Sequence, residues 1–74
     1  MDRSLKPKAE LLGRLATARG IAWEADARNL PPDDDVARVG LLADRLGLSL
    51  GNALDPLLGE ADYLALLGQG GQHG

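Results

Sequence analysis

Histidine, cysteine and serine side chains in register with a base are where chemistry would be expected, and this chain has few of them. It contains no cysteine and one histidine, His73, which sits in the glycine-rich stretch Gln69-Gly70-Gly71-Gln72-His73-Gly74. A zinc site needs three or four Cys, His or carboxylate ligands at fixed spacing, so none is expected. The hydroxyls Ser4, Thr17 and Ser49 have no base close by in sequence, and nucleophilic or acid/base catalysis requires one within hydrogen-bond reach. Asp33-Asp34-Asp35 lacks the alternating acids, central glycine and terminal glutamate of a calcium loop. It reads instead as a helix start, where carboxylates accept from free N–H groups and meet the positive end of the dipole. Glu60 and Asp62 read as solvated surface. The glycine-rich run lacks the lysine and following helix of a phosphate-binding loop. No catalytic residue, metal or cofactor is therefore expected, and the protein is read as a non-enzyme.

Apolar spacing defines the elements that carry these side chains. Leu5, Ala9, Leu12, Leu15 and Ala16 recur at three and four residues, widened by Leu11 and Ala18, which predicts a helix near 5–19. Ser4 would cap it, Pro7 is tolerated in its first turn, and Gly20 would end it. Gly13, inside this helix, is either a weak point or a place where a second backbone packs closely. The stretch Ile21 to Leu30 alternates apolar and polar residues but is rich in alanine, so it reads as an irregular or short extended link with a helical turn, or as an edge strand. Pro31-Pro32 closes it with a rigid entry.

A helix near 33–46 should follow, with Val36, Val39, Gly40, Ala43 and Leu46 as its stripe, an Asp34–Arg38 pair, and Gly47 as its end. A short helix near 50–54 would start at Ser49. Asp55-Pro56 has the form of a cap followed by proline, predicting a last helix near 56–67 that buries Leu57, Leu58, Ala61, Leu64, Ala65 and Leu67 and stops at Gly68. The expected fold is all-α: a three- to four-helix domain over 1–68 with a flexible glycine-rich tail over 69–74.

At 74 residues, with one Trp, one Tyr and no Phe, the core must be thin, and small domains without disulfides or metals depend on tight packing or association. The longest apolar runs fall far short of the ~20 residues that span a bilayer, and the N-terminal residues lack a secretory pattern. A cytoplasmic location is expected, and the lean toward Ala, Gly, Arg and Asp suggests a bacterial or phage source. Charge is polarised: residues 1–20 hold five Lys or Arg against two acids, whereas no Lys or Arg follows Arg45.

Leu42-Ala43 and Leu46-Gly47-Leu48-Ser49 resemble the first helix and turn of a helix-turn-helix, which implies a DNA-binding or transcription-regulating protein. The segment that would read DNA carries Asp55, Gly51 and Pro56 and no cation, whereas DNA affinity rests on Lys and Arg. Leu46-Gly47-Leu48-Ser49-Leu50 resembles the attachment serine of an acyl-carrier domain, with Leu48 where that family has Asp. The favoured expectation is a protein–protein interaction module (an adaptor, assembly factor or inhibitor) with a basic first helix and an acidic remainder, acting on another protein or as a homodimer that completes its core. Nucleic acid is disfavoured. Trp23 reads first as a core plug and second as a binding hot spot, with Arg14, Arg19 and Arg28 as the cations around it.

Overall fold

The structure, a computed structural model, describes residues 5–71. Five helices follow one another: α1 (Lys6–Ala18), α2 (Glu24–Ala27), α3 (Asp35–Leu46), α4 (Leu50–Leu54) and α5 (Glu60–Gly71). No strand forms among the described residues. The Cα trace spans 37 × 28 × 17 Å. Its shortest dimension leaves room for two helix layers about 8–10 Å apart, so the helices keep one side in solvent.

The long helices start and stop for reasons written in their sequences. Pro7 occupies the first turn of α1; Ser4, its expected cap, lies outside the described residues. α1 and α3 end in the same Schellman geometry. Gly20 and Gly47 take positive φ values of 75° and 79°, which glycine adopts without a Cβ clash. Ile21 N–H then donates to the Ala16 carbonyl and Leu48 N–H to the Ala43 carbonyl. Ile21 and Leu48 turn inward and pack on the core.

Within the acidic triplet the roles divide. Asp34 caps α3 by accepting from Ala37 N–H at 2.9 Å, so the expected Asp34–Arg38 pair does not form. Arg38 pairs with Asp35 at 3.4 Å instead. Pro31-Pro32 belongs to a turn closed by Asp34 N–H on the Pro31 carbonyl.

One core joins α1, α3, α4 and α5. Leu12, Ala16, Val39, Leu42, Ala53 and Tyr63 are fully buried, with Ala9, Leu15, Ala43, Leu46 and Leu67 nearly so. Each buried leucine or valine contributes about 1.5–3 kcal/mol. α3 is rolled slightly from its expected orientation: Leu42 points inward, and Val36 is 55% exposed. Ala18, expected to widen the α1 face, is exposed. The stretch 21–30 is an irregular link with one helical turn, α2, rather than an edge strand. Arg45 of α3 bonds Asp26 and ties α2 down.

The chain departs most from expectation after residue 54. Asp55-Pro56 makes a turn, because Asp55 Oδ1 accepts from Leu57 N–H at 2.9 Å and the Asp55 carbonyl accepts from Leu58 N–H. α5 starts at Glu60, where Asp62 reaches back to Gly59 N–H at 2.9 Å as one half of a capping box. It continues through Gly68, which has no positive φ, to Gly71. The last helix thus runs three residues past its expected stop at Gly68, and residues 72–74 of the expected tail lie outside the described residues.

The inward face of α5 is also different. Tyr63 and Leu67 are buried and Leu66 half-buried, while Ala61, Leu64 and Ala65 face solvent and Leu57 is 87% exposed. Tyr63 decides this orientation. Its hydroxyl is shared between the carbonyls of Asn52 at 2.8 Å and Ala53 at 3.2 Å at the end of the short α4, where Asn52 also accepts the Asp55 N–H. From α1, Lys8 Nζ donates to the carbonyls of Asp55 at 2.9 Å and Leu58 at 2.8 Å. The same ammonium stands 4.8 Å from the Tyr63 ring centroid, close enough for a cation–π attraction.

Candidate functional site

The flank of α1 opposite the Lys8 contact carries Lys6, Glu10, Gly13 and Thr17, spaced so that they share one side of the helix. Gly13 leaves a gap there, and the chain fills it from the α1–α2 link. The Trp23 indole lies against the backbone of Gly13: a Cβ at that position would stand 3.0 Å from Cζ2 and 3.2 Å from Cη2. The indole Nε1–H donates to Thr17 Oγ1 at 3.1 Å. The two contacts fix the ring while leaving it half-buried, and burying an aromatic of this size is worth more than most other contacts on a small surface.

Between α1 and this ring runs an open groove of about 760 Å³. Ala9, Gly13 and Ala18 supply small apolar surface, Trp23 forms one wall, and the rim holds Lys6, Glu10, Arg14, Glu24 and Arg38. A second depression of about 420 Å³ is lined by Glu24, Ala27, Arg28 and Arg38 as well as Trp23. Trp23, Glu24 and Arg38 therefore line both hollows. Both hollows are open to solvent, which suits a side chain or helix face of a macromolecule better than an enclosed small ligand.

Of the residues singled out from the sequence, Trp23 and Arg14 meet in the larger groove and Arg28 reaches the smaller one. Arg19 lines neither. Its backbone belongs to the Schellman turn of α1, which leaves its side chain exposed. Trp23 is neither a full core plug nor a free surface ring, and Gly13 accommodates an indole rather than a second backbone. Arg38 is a member that sequence reasoning missed, and Gly13 one that it singled out with a different neighbour. Arg38 is 15 residues from Trp23, and only the packing of α3 on α1 joins them; a glycine inside an otherwise good helix was the available signal for Gly13. Arg14 makes a loose 4.0 Å contact with Glu60, both side chains more than half exposed, and such a pair is worth about 0–1 kcal/mol.

Among the described residues no cluster of three His, Cys, Asp or Glu side chains is arranged to hold a metal ion. No helix among them is long and apolar enough to cross a membrane. Ser49 Oγ accepts from Asn52 N–H at 3.1 Å as the cap of α4. No family model, curated protein or solved structure matches this chain.

Proposed function

We propose that the protein is a non-enzymatic interaction module, an adaptor, assembly factor or inhibitor, that captures a partner protein in the Trp23 groove. The observation that carries this reading is the indole itself. It is braced by Gly13 and Thr17, half-exposed, and flanked by Arg14 and Arg38. A rigid aromatic wall loses little conformational entropy on binding, and Trp and Arg are both among the residue types enriched at binding hot spots. The groove would take an apolar side chain from the partner, with acidic groups of the partner meeting the arginines on its rim.

The test is affinity capture followed by titration of the recovered partner against wild type, Trp23→Ala and Arg14→Glu, each checked for helical circular dichroism. Trp23→Ala is expected to weaken binding by more than tenfold, as is usual for a hot-spot tryptophan. Equal binding by folded Trp23→Ala would overturn the reading. The helix-turn-helix alternative draws on α3, the Gly47 turn and α4. On that reading the recognition helix is the five-residue α4, Leu50–Leu54, which carries no cation. Tight binding of duplex DNA with a steep salt dependence, unaffected by Trp23→Ala, would favour it over the groove. A divergent acyl-carrier domain remains the third reading, and a mass increase at Ser49 with a phosphopantetheinyl transferase would favour that one.

A further inference from the structure

The last helix is held to the rest of the molecule by a narrow set of groups. From Glu60 to Gly68 only Tyr63 and Leu67 are buried and Leu66 half-buried, and every other residue of that stretch is exposed. The polar part of the attachment is equally compact: the Tyr63 hydroxyl on the Asn52 and Ala53 carbonyls, with Lys8 Nζ over the Tyr63 ring. These contacts join α5 to the seat formed by α1 and α4. None of them depends on which chain supplies the helix.

The hinge between α4 and α5, residues 55–59, has a different character. Asp55 is already extended, with φ −67° and ψ 117°, as the residue before a proline prefers. After it a single turn reverses the chain, closed by Leu57 N–H on Asp55 Oδ1 and by Leu58 N–H on the Asp55 carbonyl. Pro56, Leu57 and Gly59 are exposed, Leu57 to 87%, and no atom lies within 4 Å of the place a Cβ on Gly59 would take. Straightened, five residues span about 17 Å, well beyond the about 8–10 Å between packed helix axes. That reach carries α5 into a neighbouring molecule.

We propose that two copies of the chain dimerise by exchanging α5, so that Tyr63 and Leu67 of each complete the core of the other. The seat itself selects the occupant, because this helix is the one it holds in the closed chain. The opened hinges of the two copies run past each other, and Leu57, which packs on nothing inside the closed chain, is covered there by Leu57 of the partner subunit. Lys8 opposes the exchange. Its Nζ binds the carbonyls of Asp55 and Leu58 together, and it reaches both only while the turn between them is closed.

The full-length chain, held at millimolar concentration near its thermal midpoint and then cooled, is expected to elute partly as a dimer that persists on dilution, because return requires α5 to leave its seat. Single-cysteine variants read the exchange directly, since the chain has no cysteine of its own. Arg14 and Glu60 approach to 4.0 Å with both side chains more than half exposed. Arg14→Cys and Glu60→Cys, mixed, heated, cooled and treated with a short bis-maleimide, should cross-link one chain to the other, and the same mixture without heating should not. Deleting Pro56 and Leu57 removes the turn that folds α5 back and should give an obligate dimer with native helical circular dichroism. Lys8→Met should raise the dimer share several-fold, whereas Trp23→Ala should leave it unchanged, which separates exchange from any docking in the groove. A wild type that stays monomeric after this treatment, a dimer without the 14–60 cross-link, a cross-link that forms equally without heating, or a shortened chain that is folded and monomeric overturns the proposal. Loss of the dimer in folded Trp23→Ala overturns it too, and leaves the groove as the site of association.

Discussion

Gly13 and Trp23 share one volume, so a substitution at either is felt at the other. Gly13→Ala sets two effects of similar size against each other: about 1 kcal/mol gained in helix propensity, and about 1–3 kcal/mol of overpacking where the new Cβ meets the indole. Because the ring is half-exposed, it is free to move outward. The expected result is a stability change within about 1 kcal/mol, or roughly 4–8 °C in Tm, together with a red shift of Trp23 fluorescence. Unchanged emission would show that the ring has slack where the geometry gives none. Tyr63→Phe probes the buried end of the molecule and should behave differently. It leaves the packing intact but takes the hydroxyl donor from the Ala53 carbonyl and leaves that of Asn52 with only the Asp55 N–H at 3.3 Å, so a loss of about 1–3 kcal/mol is expected by urea denaturation. At this scale the sequence marked Trp23 as important but not its state. Its surroundings depend on a glycine ten residues away and a threonine six residues away, and their meeting requires the Schellman turn at Gly20 to direct the link back along α1.

Helix ends were legible wherever the signal was local. Gly20, Gly47, Ser49 and Pro7 occupy the positions their chemistry predicts, because caps and left-handed turns are settled within four or five residues. The acidic triplet identified a helix start without saying which carboxylate caps it, and a pair of substitutions separates them. Asp34→Ala should cost about 0.5–2 kcal/mol through loss of the Ala37 bond, whereas Asp33→Ala, at an exposed site, should stay within about 0.5 kcal/mol. Equal losses would mean that charge near the dipole matters more than the cap. α5 was misread for a different reason. Leu57, Leu58, Ala61, Leu64, Ala65, Leu66 and Leu67 place apolar groups on every side, so periodicity alone selects no inward face. The choice falls to Tyr63 and to the α4 carbonyls that its hydroxyl satisfies. A proline after Asp55 was equally ambiguous, since the same dipeptide starts a helix or makes a turn, and the Gly59–Asp62 cap further on takes the helix start.

Across the whole molecule, charge is unevenly spread: Lys6, Arg14 and Arg38 stand with Glu10 and Glu24 around the groove on α1 and α3, whereas α5 begins with Glu60 and Asp62, the first of which stands 4.0 Å from Arg14. The rim arginines should make capture of an acidic partner in the groove sensitive to ionic strength. Raising salt from about 50 mM to 500 mM, which shortens the screening length to a few ångströms, is expected to weaken it several-fold in sedimentation, whereas an association driven by apolar contact alone would hold or strengthen. The charge division was plain in the sequence; which cations meet at the groove was not, since that depends on how α1 is rotated about its axis and on the packing of α3 against it. The Lys8 clamp has a kinetic meaning as well. Its two hydrogen bonds join residues 47 and 50 positions apart, and such closure carries a loop-entropy cost that local helix pairing does not. The clamp should therefore lock after the folding barrier has been crossed. Lys8→Met is expected to leave the refolding limb of a denaturant chevron in place and to raise the unfolding rate, which makes a lysine of the first helix the timekeeper for release of the last.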